Sequence, residues 1–504
     1  MKKNSLIVSL LLGGSMLFAT SAMAQDKTVK LTTSKAVGET MTLSVNQESR
    51  KISVDWGDGV IQTYEISASN LLGSIEGQVK GNVISIMGGG NWHTLNCAGC
   101  DITDIDLKDA KELRSLYCRN NQISKLDLRG MTKLVDLDCS HNSISRLVFT
   151  KTGADNYKDD LSAIENLNLS YNQLTGSFNM KLPTLQNLNI SNNAYKNFFL
   201  TEGEVRTLNC ANNELKGTLK LSRQAMLNSL ICHGNAFTAL ELNENTEYFK
   251  QLVCDNNQIE SLDLSAAEDM VDLSCSNNNM SHLKVSSRQK DLNSMNVSGN
   301  ALTFSVLPVK SNAPTYLSFL PQAPFSIADA EGMLEKDGVP YAPVSVWSKK
   351  VYVNLKPYSS LSNNRYDSDY QWFSVLADGT EQEMTRRTSS SGTEDFYVTS
   401  GKYAFFTPQK KAYIKLTSKS YGYEIKSMPI AIGDDITGVE NVMNDGTLQI
   451  SIHAGQLVLS SQQNTAVKVY STAGKLVWSG FVNGTVQVNL PKGMYVVNGK
   501  KAIL

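Results

Sequence analysis

From Leu95 to Asn300 the chain repeats one arrangement of apolar and polar positions. An apolar anchor stands at Cys97, Cys118, Cys139, Leu169, Ile190, Cys210, Cys232, Cys254, Cys275 and Val297, at steps of 21, 21, 30, 21, 20, 22, 22, 21 and 22 residues. Two places before each anchor stands Leu95, Leu116, Leu137, Leu167, Leu188, Leu208, Leu230, Leu252, Leu273 or Met295. Period-two alternation across these positions predicts a short strand in every repeat, with leucine and anchor on one side and the residue between them on the other. Recurrence near twenty residues predicts a solenoid, because a single coil buries its apolar strand face only by stacking on its neighbours.

Three places after the anchors stand Cys100 and then Asn121, Asn142, Asn172, Asn193, Asn213, Asn235, Asn257, Asn278 and Asn300. Asparagine suits the turn out of a strand, where its side-chain amide can satisfy backbone groups of the adjacent coil. The two phrases LYCRNNQISKLDL (116–128) and LVCDNNQIESLDL (252–264) show the pattern. It resembles the leucine-rich repeat, in the short form of internalins and of Bacteroidetes surface proteins. The resemblance covers roughly 92–305 and implies a curved parallel β-solenoid whose concave strand face is open to partners.

Seven of the eight cysteines share a slot that Leu169, Ile190 and Val297 fill elsewhere. A position accepting Leu, Ile, Val or Cys is an apolar core position, where a thiol behaves as a small hydrophobe. Disulfides are the competing reading, since successive slots would lie about 4.8 Å apart; their parallel Cβ vectors suit disulfide torsion poorly. A one-dimensional ladder offers zinc no tetrahedral cluster.

The flanking segments predict further all-β modules. Residues 26–91 read as a β cap, with a hairpin at Asp58-Gly59 in RKISVDWGDGVIQTYEI. The Trp-Gly-Asp-Gly stretch resembles polycystic-kidney-disease-like β modules; calcium at Asp55 and Asp58 is an alternative to a plain turn, with far too few carboxylates for a full shell. The solenoid is assigned to 92–320, and alternating runs across 321–432 predict a β-sandwich. YQWFSVLADGTEQ there resembles the central tryptophan strand of an immunoglobulin-like domain, with Trp372 as core. Residues 433–504 resemble type IX secretion sorting domains, through ITGVENV, VKVYSTAGKLVWSG with Gly474, and LPKGMYVVNGKKAIL with Gly493. They predict a small C-terminal β-sandwich. Residues 1–24 have the Lys2-Lys3, apolar and Ala-Met-Ala layout of a secretory signal peptide, so export to the cell surface, periplasm or medium is expected.

Charge narrows the function. Forty-seven basic side chains balance 48 acidic ones, leaving no field to gather nucleic acid. No later segment is apolar and long enough to span a membrane after signal cleavage. There is no nucleophile, phosphate-loop or zinc-protease motif, and no cofactor is implied. His141 and His233 stand four repeats apart, about 19 Å, too far to share a metal. Asp136 and Asp138, about 6.6 Å apart on one strand, lack an enclosing cleft for glycoside hydrolysis.

Binding is the better expectation. Most open-face positions are small and polar: Asn96, Asn168, Asn189, Asn209 and Asn296 with Ser140, Ser170, Ser191, Ser276 and Ser298. Two places depart from that pattern. One gathers Tyr117, Arg119, Asp136, Asp138, His141 and Tyr171 beside the insertion TKTGADNYKDDLSA; the other exposes Ile231 and Val253 next to His233 and Asp255. Tyrosine, arginine and exposed apolar pairs are typical of protein interfaces. The expectation is an exported, non-enzymatic surface protein holding a protein partner. The alternatives are a glycan-binding protein of a carbohydrate-uptake system and a structural spacer.

Overall fold

The computed structural model describes residues 27–48, 51–66, 73–149, 160–200, 203–286, 291–336, 338–388, 393–433, 448–453, 456–471, 476–497 and 500–503. The signal-like segment, residues 150–159 of the insertion, ITGVENV and Gly474 lie outside them. The described elements are strands joined by turns and short 3₁₀ pieces. The chain forms two compact units, Met1–Val205 and Arg206–Leu504.

In the first unit, the strands Trp92–Asn96, Ser115–Tyr117, Asp136–Asp138, Asn166–Asn168 and Asn187–Asn189 form a parallel ladder. Leu95, Leu116, Leu137, Leu167 and Leu188 stand in register and are buried. The far side of the coils carries parallel strand pairs, Lys125–Asp127 with Arg146–Val148 and Thr175–Asn179 with Ala194–Phe199. Thr40–Gln47 pairs antiparallel with Trp92–Asn96, and Lys27–Thr33 pairs antiparallel with Ile102–Asp106. The N-terminal segment thus occupies the open backbone edge of the first coil on both sides, which an uncapped solenoid would leave to aggregation.

The Asp58-Gly59 hairpin joins Lys51–Asp55 to Ile61–Glu65. Asp55 Oδ1 accepts from the Gly57 and Gly59 amides at 2.8 and 2.9 Å, and Asp58 pairs with Lys80 at 2.8 Å. Both carboxylates are engaged in building the turn. Trp56 beneath it is fully buried, and its indole N–H donates to the Tyr64 hydroxyl at 2.9 Å.

The second unit continues with Thr207–Asn209, Ser229–Ile231, Gln251–Val253, Asp272–Ser274, Ser294–Asn296 and Tyr316–Ser318 as a parallel ladder. The last strand lies beyond the repeat recognised in the sequence. Phe319 takes the anchor slot, and Gln322 takes the asparagine slot: its amide donates to the Val297 and Phe319 carbonyls and accepts from the Leu302 amide at 2.8 Å. Phe319 stacks on Tyr423 at 5.5 Å, and the Tyr421 hydroxyl donates to the Pro308 carbonyl at 2.8 Å. Residues of the next module thereby cover the final coil.

That module has a larger sheet built around Ser368–Val375 and Gln409–Ser418 and a three-stranded one containing Lys402–Phe405. Trp372 is fully buried, edge-on to Phe405 at 4.8 Å and near Tyr403 at 5.9 Å. The indole is core, as the strand pattern predicts. Farther on, the strands from Leu448 to Ile503 join in one five-stranded antiparallel sheet. Its Gln456–Ser471 strand shifts register between Ser461 and Thr465, and the sheet encloses Leu457, Leu459, Val467, Val469, Val482 and Val497.

Candidate functional site

The asparagine column is structural. Asn142 donates from Nδ2 to the carbonyls of Cys118 (2.9 Å), Cys139 (3.1 Å) and Ser140 (3.2 Å), and its Oδ1 accepts from the Ile123 amide at 3.0 Å. Asn172, Asn235, Asn257, Asn278 and Asn300 repeat the set, tying each coil to the one before. Asn193 does the same between its own coil and Leu169 and Leu174, and Asn213 donates to Cys210 and Ala211. Asn121 serves the first coil, accepting from the amides of Cys100 and Ile102. Cys100, which stands in the asparagine slot of the first coil, donates from Sγ to the Thr42 carbonyl at 3.3 Å.

The cysteine column is hydrocarbon-like. Cys97, Cys118, Cys139, Cys210, Cys232, Cys254 and Cys275 are fully buried and all eight thiols are free. Burial pushes the Cys210 thiol up to about 12 and Cys100 up to about 11. Buried thiols held protonated are poor nucleophiles and poor metal ligands. Among the described residues no group of His, Cys, Asp and Glu is placed to hold a metal ion.

The open strand face differs from the expected polar lawn in one respect. Ser140, Ser170, Ser191 and Ser276 are buried, not exposed. For Ser140, Ser170 and Ser191 the burial has a repeated cause: the residue two places earlier accepts from both the serine amide and its hydroxyl. Asn168 takes Ser170 at 3.2 and 2.8 Å, and Asn189 takes Ser191 at 3.1 and 2.8 Å. Asp138 serves Ser140 in the same way. Such boxes satisfy themselves and offer little to a ligand.

A second column escaped the sequence reading. The residue two places after each anchor has positive φ: Gly99, Asn120, His141, Tyr171, Asn192, Asn212, Gly234, Asn256, Asn277 and Gly299, between 52° and 67°. Glycine and asparagine adopt this left-handed geometry at least cost. Their recurrence at that offset was the available signal. His141 and Tyr171 break the rule side by side. Their rings stack at 4.1 Å with 12° between planes, and both are exposed.

The other members of the first cluster lie on the same and neighbouring coils. Tyr117 and Asp138 are Cα partners on adjacent strands, and Asp138 lies opposite Asn168 in turn. Arg119 Nη1 is 3.7 Å from Asp138 Oδ2, with the guanidinium largely in solvent. Asp136 accepts from the Ser115 hydroxyl at 2.9 Å and the Asn166 amide at 2.6 Å. Asp136 and Asp138 are therefore framework acceptors. Tyr117, Arg119, His141 and Tyr171 are the side chains left to face outward.

The second cluster is weaker than its sequence suggests. Ile231 and Val253 are Cα partners but half-buried. Asp255 turns inward, accepting from the Ser274 hydroxyl (2.6 Å) and from the amide (2.7 Å) and hydroxyl (2.6 Å) of Ser276. It replaces the acceptor that Ser274 cannot supply in its own coil. His233 is half-buried beside it.

Residues 111–149 match the family model described as leucine-rich repeats in two copies. Similar solved structures include the functional domain of InlJ from Listeria monocytogenes, which includes a cysteine ladder. That match has 14% identity and a TM-score of 0.30, covering 70% of this chain and 93% of that one. YopM from Yersinia enterocolitica WA-314 is 19% identical with a TM-score of 0.30, covering 42% of this chain and 57% of its own. InlP from L. monocytogenes is 10% identical with a TM-score of 0.27, covering 67% and 92%. No curated protein matches the chain.

Proposed function

We propose that this is an exported, non-catalytic binding protein that holds a protein partner around Tyr117, at the end of its ladder strand, and Arg119, His141 and Tyr171 in the turns that follow the strands. The observation that carries the reading is the stacked pair at left-handed backbone positions. Elsewhere in the column glycine or asparagine takes the position; here two large rings hold it and remain in solvent. Aromatic and arginine side chains held rigidly at an exposed centre lose little entropy when a partner covers them, the usual make-up of an interface hot spot. Ile231, His233 and Val253 form a secondary contact area.

A glycan ligand is the second reading, favoured by the same pair, since an exposed aromatic ring can pack against a sugar. A glycan array run beside a protein pull-down distinguishes the two. Tyr117→Ala, Arg119→Ala and Tyr171→Ala combined should abolish binding to the target found while leaving the protein folded; unchanged binding contradicts the patch.

Export rests on residues 1–24 and on the resemblance of 433–504 to type IX sorting domains of Bacteroidetes. Truncation of 436–504 followed by cell fractionation tests it, and unchanged location and processing argue against a sorting role.

A further inference from the structure

In the C-terminal sheet, Leu476–Val488 pairs along one side with Gln456–Ser471, from Leu476 opposite Tyr470 to Val488 opposite Leu457. Among the described residues no strand pairs with its other side. The strand is 13 residues long, and alternate residues of an antiparallel strand direct their amide and carbonyl groups away from the paired neighbour. An unpaired row of that kind is a template for another strand.

Sheet borders elsewhere in the chain are guarded by charge. Ile61–Glu65 carries Glu65, Leu334–Lys336 carries Glu335 and Lys336, and Glu381–Glu383 carries its two glutamates. Leu476–Val488, with the sequence LVWSGFVNGTVQV, has no charged residue and no proline. Its side chains divide by face. Val482 and Val488 are buried in the core of the sheet, whereas Ser479, Phe481, Asn483, Thr485 and Gln487 are exposed. Phe481 is 70% exposed. A long neutral edge with a phenylalanine in water combines the two features that soluble proteins keep off their surfaces unless something covers them.

We propose that this edge pairs antiparallel with the same edge of a second copy of the chain, extending the sheet across a twofold axis. Antiparallel pairing is self-complementary, because such an axis sets residue i against j and j against i. The absence of charge fits this occupant. Like charges set opposite one another oppose pairing, and an identical strand here brings none, whereas a charged peptide would find no counter-charge along the edge. The exposed rows of the two copies then lie on one face of the joined sheet, where each Phe481 packs against the facing row. The site is separate from the Tyr171 patch and stands or falls independently of it.

Sedimentation velocity of the full chain over a range of concentrations tests this. A reversible monomer–dimer equilibrium is expected, with amides in 476–488 exchanging hydrogen more slowly as dimer forms. Phe481→Lys with Thr485→Lys, both at exposed positions, should weaken the dimer at least about tenfold by setting like charges across the new pair. Phe481→Glu with Thr485→Glu should do the same, and mixing the basic and acidic variants should restore a dimer holding one chain of each. Equal urea unfolding of parent and variants, at a concentration where all are monomeric, confines the comparison to pairing. A monomer at every concentration overturns the proposal. So does a dimer that both variants leave intact, a mixture that restores nothing, or open-ended aggregates in place of a dimer.

Discussion

His141 and Tyr171 occupy the same left-handed backbone position on successive coils, at φ of 52° and 54°, and stack face to face at 4.1 Å. Every residue with a Cβ, asparagine included, meets the crowding that costs roughly 1–2 kcal/mol there, so replacing both rings by asparagine removes chiefly the stacked pair, worth about 0.5–1.5 kcal/mol. The pair therefore contributes little to folding. His141→Asn with Tyr171→Asn, which restores the residue of neighbouring coils, should leave unfolding free energy within about 1 kcal/mol of the parent. Urea denaturation checks this; a loss well above that range would make the stack a structural element.

The asparagine ladder behaves oppositely. Asn278 is buried, donates to the carbonyls of Cys254, Cys275 and Ser276 and accepts from the Ile259 amide. Asn278→Ala strands those groups and should cost about 3 kcal/mol or more. Asn120→Gly, at an exposed left-handed position, should change stability by only a few tenths of a kcal/mol. Denaturation midpoints of the two variants measure the contrast.

The thiol core gives a pH signature. Burial holds the Cys210 thiol at about 12 against an ordinary value of 9.0. A raised folded value means the unfolded chain loses the proton first. Stability is therefore complete below pH 9 and falls as pH rises from 9 toward 12, by up to about 1.4 kcal/mol per pH unit for each such thiol. Native protein at pH 8 should resist a thiol reagent, and all eight cysteines should react in denaturant. Ready labelling without denaturant contradicts the packing.

Gly77 lies against Trp56 in the N-terminal cap: a Cβ added there would sit 2.1 Å from the indole Cε2. Gly77→Ala must displace a fully buried tryptophan, at about 1–3 kcal/mol. Limited proteolysis should show earlier cleavage within residues 27–88.

Much of this was legible in the sequence because identical coils solve identical problems. Leu116, Cys118 and Asn121 recur as one unit, since strand face, anchor and turn must each be satisfied in every coil. The coil at Phe319 and Gln322 escaped because the same roles are played by larger residues. The serines were misjudged because period two assigns a side of the strand, whereas the turn folds Ser170 back beneath Asn168. Asp255 looked available because its acceptor role serves the following coil, Ser276, and not its own. The left-handed column was readable in principle as a run of asparagine and glycine, and that column makes His141 and Tyr171 stand out.

The central claim is that this pair marks a partner surface, and a matched comparison tests it most directly. The full chain and the His141→Asn/Tyr171→Asn variant, shown equal in urea stability, are applied to the same array of extracellular proteins and glycans. A protein target whose signal falls at least about tenfold for the variant is the predicted result. Equal signals for both proteins at every target would contradict it.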